Sequence, residues 1–71
     1  LKNMKNIEII IGLKIKELRK QKKYSQEQLA NLASINKSYI SQIENGKTKV
    51  SLEIMNKLAK AFEIEIDKLF E

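Results

Sequence analysis

Lys37, Ser38, Ser41, Gln42 and Asn45 fall on one side of a segment whose other side holds Ile35, Tyr39, Ile40 and Ile43. The apolar set recurs at helical spacing, so the five polar residues share one outward face. None of the five is acidic, and every one can hydrogen-bond. Base edges in a DNA major groove offer acceptors and donors, and phosphates line its rim. A carboxylate on such a face would be repelled by the backbone charge, whereas Lys, Ser, Gln and Asn can reach bases or phosphates. The basic stretch Lys47-Thr48-Lys49 follows directly. The chemistry open to this face is recognition.

Bond-making chemistry finds no support. The chain has no His and no Cys, which removes the usual nucleophile pairs, zinc ligand sets and disulfides. No two carboxylates stand at a recognisable catalytic spacing, and no cofactor or metal is expected. Gly46-Lys47-Thr48 echoes the end of a phosphate-binding loop. That loop needs a glycine five residues earlier, and the position is Ser41, inside the helix. Asn36-Lys37-Ser38 matches a glycosylation triplet, but no secretory signal accompanies it. The run "IEIIIGLKI" is interrupted by Glu8 and Lys14 and lacks a small-residue cleavage site, so it is no signal peptide. No apolar run is long enough to cross a membrane.

The 71 residues are expected to form one small domain, and within them no ligand-sensing domain fits beside the helical bundle. A core of this size is marginal alone and nothing staples it. Stability must come from apolar helix packing, helped by a second copy of the chain. The formal net charge is +5 and the pI about 9.6, which favours polyanionic partners. Lys14, Lys16, Arg19, Lys20, Lys22 and Lys23 crowd one segment, while Glu63, Glu65, Asp67 and Glu71 gather at the C-terminal end. One end can face phosphates while the other is kept away. The absence of Cys fits a reducing cytoplasm.

The elements that position the polar face read as helices throughout, since proline is absent and strand alternation is weak. Leu1 to Lys5 are expected to be poorly ordered, ahead of a domain over 6–71. A first helix starts near Asn6 as N-cap, carries Ile7, Ile11, Ile15 and Leu18 on one stripe and runs to about Lys22. Ser25 and Gln28 form a capping-box pattern ahead of a second helix, "QEQLANLA", with Leu29, Leu32 and Ala33 inward. Asn36 caps the third helix, and Asn45-Gly46 ends it. Ser51 caps a fourth carrying Leu52, Met55, Leu58, Ala59 and Phe62. The tail "IEIDKLF" reads as a turn and a short fifth helix. The second and third helices, joined by a three-residue turn, must cross steeply, and Ala30 is the small residue where they meet. That pair is a helix-turn-helix pattern.

The stretches "SQEQLA", "SYISQIENGK", "SLEIMNKLAKAF" and "IDKLF" resemble the phage repressor and Cro type of helix-turn-helix domain, over nearly the whole chain. Within that family, "KSYISQIENGKTKVSL" is similar to the single-domain controller proteins of restriction–modification systems. The resemblance implies an all-α, compact five-helix bundle. It also implies a sequence-specific transcriptional regulator of double-stranded DNA, with RNA polymerase as a partner where it activates. Gln26 would contact phosphate at the start of the second helix. Asn36, Lys37, Ser38 and Gln42 would face base edges or the adjacent backbone. Lys47, Thr48 and Lys49 would touch phosphates, and the Tyr39 hydroxyl could do so while its ring is core. Ser34 departs from the family, which often has glycine there. If that position is left-handed, serine costs roughly 1–2 kcal/mol. Phage-type repressors and antitoxin-like regulators share most of these residues. A helical protein–protein interaction module without DNA binding is the rival reading.

Two expectations concern pairing. Glu44 closes the third helix, where the helix dipole disfavours an acid, so it calls for a cation. Arg19, the only arginine, is the candidate, and its planar fork suits a bidentate carboxylate pair. Ile54 lies beside the stripe of the fourth helix, and Ile64, Ile66 and Phe70 add more apolar area than so small a core can bury. These four are expected to form a homodimer interface.

Overall fold

The computed structural model describes residues 5–71. Leu1 to Met4, most of the segment expected to be poorly ordered, lie outside the described residues. The elements are α1 (Lys5–Gln21), α2 (Gln26–Ala33), α3 (Lys37–Glu44), α4 (Leu52–Phe62) and a terminal 3-10 helix (Ile66–Phe70). The fifth helix expected of the tail is thus a 3-10 helix, and the α-helices among the described residues number four. Five residues with no side-chain cap at Glu65 do not sustain an α-helix. The tighter winding superposes residues three apart. It thereby sets Leu69, fully buried, on the same face as half-buried Ile66.

Local signals place the starts of α2, α3 and α4. The Ser25 hydroxyl accepts from the Gln28 N–H, and the Gln28 side chain accepts from the Ser25 N–H, closing the capping box. The Asn36 side-chain oxygen Oδ1 accepts from the Ser38 N–H at 2.7 Å, and the Ser51 hydroxyl from that of Ile54 at 3.1 Å. The α1 expectation is corrected: the helix already includes Lys5, so Asn6 lies within it and is not its cap.

The helix ends share one device. Lys23, Ser34, Gly46 and Glu63 all have positive φ. After each, a backbone N–H reaches back five residues, from Tyr24 to Arg19, Ile35 to Ala30, Lys47 to Gln42 and Ile64 to Ala59. This is the left-handed cap with its closing six-residue hydrogen bond, satisfying carbonyls that the helix leaves free. Only one of the four positions carries the glycine that the geometry favours. Ser34, at φ 56° and ψ 47°, sits where the sequence raised the question.

The elements pack in a closed order: α1 on α3, α3 on α2, α2 on α4, α4 on the 3-10 helix and that helix back on α1. Ile11, Ile15, Leu29, Ile40, Ile43, Leu58, Phe62 and Leu69 fill the core, with Ala30, Ala33 and Ala59 buried among them. Three residues assigned inward by periodicity are exposed. Ile7 lies in the first turns of α1, Leu32 flanks the Leu29–Ala33 face of α2, and Leu52 is the first residue of α4. Each sits at an element's end or flank, where helical spacing continues but no neighbour covers it.

Candidate nucleic-acid interface

Lys37, Ser38 and Gln42 of α3 are exposed, Ser41 is half-exposed, and Asn36 and Asn45 flank them in solvent. The face is acid-free, and the fold shows where the helix's own acid goes. Glu44, the one acid of α3, is turned inward with its side chain 2% exposed. Arg19 meets it with two parallel donors, Nε to Oε2 at 2.6 Å and Nη2 to Oε1 at 3.1 Å. The remaining guanidinium nitrogen, Nη1, donates to the Tyr24 carbonyl at 2.9 Å. The expected ion pair therefore joins the end of α1, the α1–α2 turn and the end of α3. A bidentate, buried geometry of this kind is the form in which arginine outperforms lysine.

Gln26, expected on a phosphate, has a second relationship that no local sequence pattern signals. Its amide Nε2 donates to Glu44 Oε1 at 3.0 Å. The start of α2 is thus tied to the end of α3 through the same carboxylate. Asn36 spends its side-chain carbonyl on the cap of α3 and keeps its amide N–H groups for solvent or a ligand.

The loop after α3 is also held. Tyr39, half-buried against the core, donates its hydroxyl to the Lys49 carbonyl at 3.1 Å, and Thr48 Oγ1 reaches the same oxygen at 3.4 Å. The Tyr39 hydroxyl proton expected on a phosphate is engaged within the chain and anchors the basic loop. Lys47 and Lys49 remain exposed beside α3.

One glycine sets the spacing of the whole face. A side chain at Gly12 would collide with the backbone carbonyl of Ile43 and lie 3.1 Å from that of Glu44. The close approach of α1 to α3 depends on the missing Cβ. A mid-helix glycine is costly, and that cost was the available sequence signal for such a contact. Ala30, buried between its neighbours, is the small residue foreseen on α2.

The expected dimer residues do not form one exposed group. Ile54, Ile64 and Ile66 pack partly on the chain's own core, whereas Phe70 is 61% exposed. Among the described residues no helix is long and apolar enough to cross a membrane, and no group of three His, Cys, Asp or Glu could hold a metal ion.

The helix-turn-helix family profile matches residues 15–69, which hold both crossing helices and the core that frames them. The chain belongs to the helix-turn-helix family. Among its relatives is the control protein C.MunI of Mycoplasma sp, 41% identical over 94% of this chain and 92% of the relative. The crystal structure of the restriction–modification controller protein C.AhdI from Aeromonas hydrophila superposes with a TM-score of 0.89 at 40% identity. It covers 92% of this chain and 98% of that one. The biofilm master regulator SinR, solved in complex with DNA, gives a TM-score of 0.79 at 37% identity, over 86% of this chain and 98% of that one. In family terms, α2 and α3 are the two helices of the motif, and α3 carries the outward polar face.

Proposed function

We propose that this chain is a sequence-specific DNA-binding transcriptional regulator of the controller type, acting as a homodimer on a pseudo-palindromic operator in the cytoplasm. The observation that carries the reading is the exposed, acid-free face of α3, with its single acid folded inward onto Arg19 and a basic loop at its edge. A helix of this chemistry fits a major groove, with Lys37, Ser38 and Gln42 toward base edges and Lys47 and Lys49 toward phosphates. The similarity to C.MunI and C.AhdI over nearly their full lengths supports the controller assignment. Phage-type and antitoxin-like regulators share the motif and remain the neighbouring reading.

The dimer follows from the size of the face. One short helix reads only a few base pairs, too few to stand out among genomic competitors. Two copies about 34 Å apart, one turn of DNA, double the sequence read. The C-terminal end suits the two-fold contact, since Phe70 is exposed there and the neighbouring acids keep that end off DNA. RNA polymerase is a further partner where the regulator activates.

Selection of duplexes from a randomised pool, followed by an ionic-strength series on the winner, tests the reading. The expected result is a two-fold-related consensus and a steep loss of affinity with salt. Binding that shows no preferred sequence, or no duplex binding, refutes it.

A further inference from the structure

Glu44 accepts three hydrogen bonds, and two of them, both from Arg19, already compensate its charge. Arg19 already occupies both carboxylate oxygens, through Nε and Nη2. The amide of Gln26 is added to Oε1 at 3.0 Å. Gln26 is half-exposed and begins α2, at the edge of the face described above. A glutamine amide can turn over, exchanging its donor and acceptor ends, at little cost in water. Beside a carboxylate it cannot, because the flipped form would set two acceptor oxygens together. The amide nitrogen is held toward Glu44, with one N–H on the carboxylate. Its second N–H has no protein partner among the described residues.

We propose that Glu44 is a positioning residue for phosphate binding: it fixes the Gln26 amide so that a donor, and never the carbonyl, is presented to the DNA backbone. This rests on the reading of the chain as a DNA-binding regulator. The same cluster then links three elements to one contact. Arg19 holds the carboxylate, the carboxylate holds the amide, and the Tyr24 carbonyl holds the guanidinium. Because α3 supplies the carboxylate, a phosphate gripped by Gln26 is held at a fixed offset from the bases read by α3. Phosphate contacts of this kind set register and carry no sequence information themselves.

The role has a sign that separates it from plain electrostatics. Removing the Glu44 charge leaves Arg19 uncompensated and makes the chain more cationic, which by charge alone tightens binding to DNA. Positioning requires the reverse. The test compares wild type, E44Q, Q26A and the double variant on the selected duplex and on a scrambled one. E44Q should weaken both duplexes by about tenfold, the scale of one charge-assisted hydrogen bond, and leave the sequence preference intact. In the Q26A background the same substitution should have no further effect. An equal loss in both backgrounds, or tighter binding by E44Q, overturns the proposal. Should E44Q fail to fold, the wild-type chain gives the answer by nuclear magnetic resonance. Duplex binding should shift one Gln26 side-chain amide proton strongly, and absence of any shift overturns the proposal. A wild-type chain that binds no duplex removes the regulator reading itself, and this inference with it. An E44Q effect that persists without Gln26 removes only the inference.

Discussion

Gly12→Ala separates the tertiary argument from helix propensity, because the two predict opposite signs. In an isolated helix the substitution gains about 1 kcal/mol. Here the new Cβ would collide with the Ile43 carbonyl and stand 3.1 Å from the Glu44 carbonyl. Both obstacles are backbone, so no rotamer change relieves them. Ordinary carbon–oxygen contacts are about 3.3–3.6 Å, so the end of α3 must retreat from α1 by on the order of an ångström. Forced separation of packed elements costs about 1–3 kcal/mol. The same displacement opens the Arg19–Glu44 pair, now 2.6 Å between Nε and Oε2. Complete rupture of a buried pair costs about 3–5 kcal/mol, and a partial opening some fraction of that. The net expectation is a loss of about 2–4 kcal/mol, a large share of the roughly 4–10 kcal/mol available to a domain of this size. Urea unfolding followed by helical circular dichroism measures it directly. At about 4–8 °C per kcal/mol, the melting temperature should fall by at least about 8 °C. A Gly12→Ala chain as stable as wild type, or more stable, would show that α1 and α3 do not approach as described.

The left-handed caps invite the opposite change: Ser34→Gly and Glu63→Gly should each stabilise by about 0.5–1 kcal/mol, the steric relief less the added chain entropy, read as a rise in urea midpoint. Replacing Lys37 or Gln42 by Ala should cost about 1–3 kcal/mol on the preferred duplex and relax its consensus. Lys49→Ala should instead weaken all duplexes alike and flatten the salt slope by about one unit. If both α3 substitutions leave the consensus unchanged, the orientation proposed for that helix is wrong. For the dimer, Phe70→Glu should shift sedimentation equilibrium toward monomer at micromolar concentration and lower the melting temperature only by what the lost partner contact supplied. Ile66→Glu, half-buried in the chain's own core, should lower the melting temperature further. A wild-type chain that sediments as a monomer and binds operator without cooperativity rules the dimer out.

The sequence by itself determined the elements and the polar face. Capping side chains act within three residues of their own position, so Ser25, Asn36 and Ser51 announced the starts of α2, α3 and α4. Helical periodicity placed Ile40 and Ile43 inward and Lys37, Ser38 and Gln42 outward, because each residue's direction follows from its index along the helix. The Arg19–Glu44 pair was legible for a different reason: one arginine and one ill-placed acid left few alternatives. The tertiary structure decided what depends on distance between elements. Whether Leu32 and Leu52 were covered required knowing where the neighbouring helices lie, and both leucines are exposed. The tail's change from α to 3-10 winding came from the need to bury Leu69 with only five residues. Gly12 is a mid-helix glycine with no local purpose until α3 lies against it. The Gln26–Glu44 bond spans 18 residues between side chains that periodicity assigns no relation. Spacing along the chain fixes which way a residue faces, but only the packing of α1, α2 and α3 fixes what it meets.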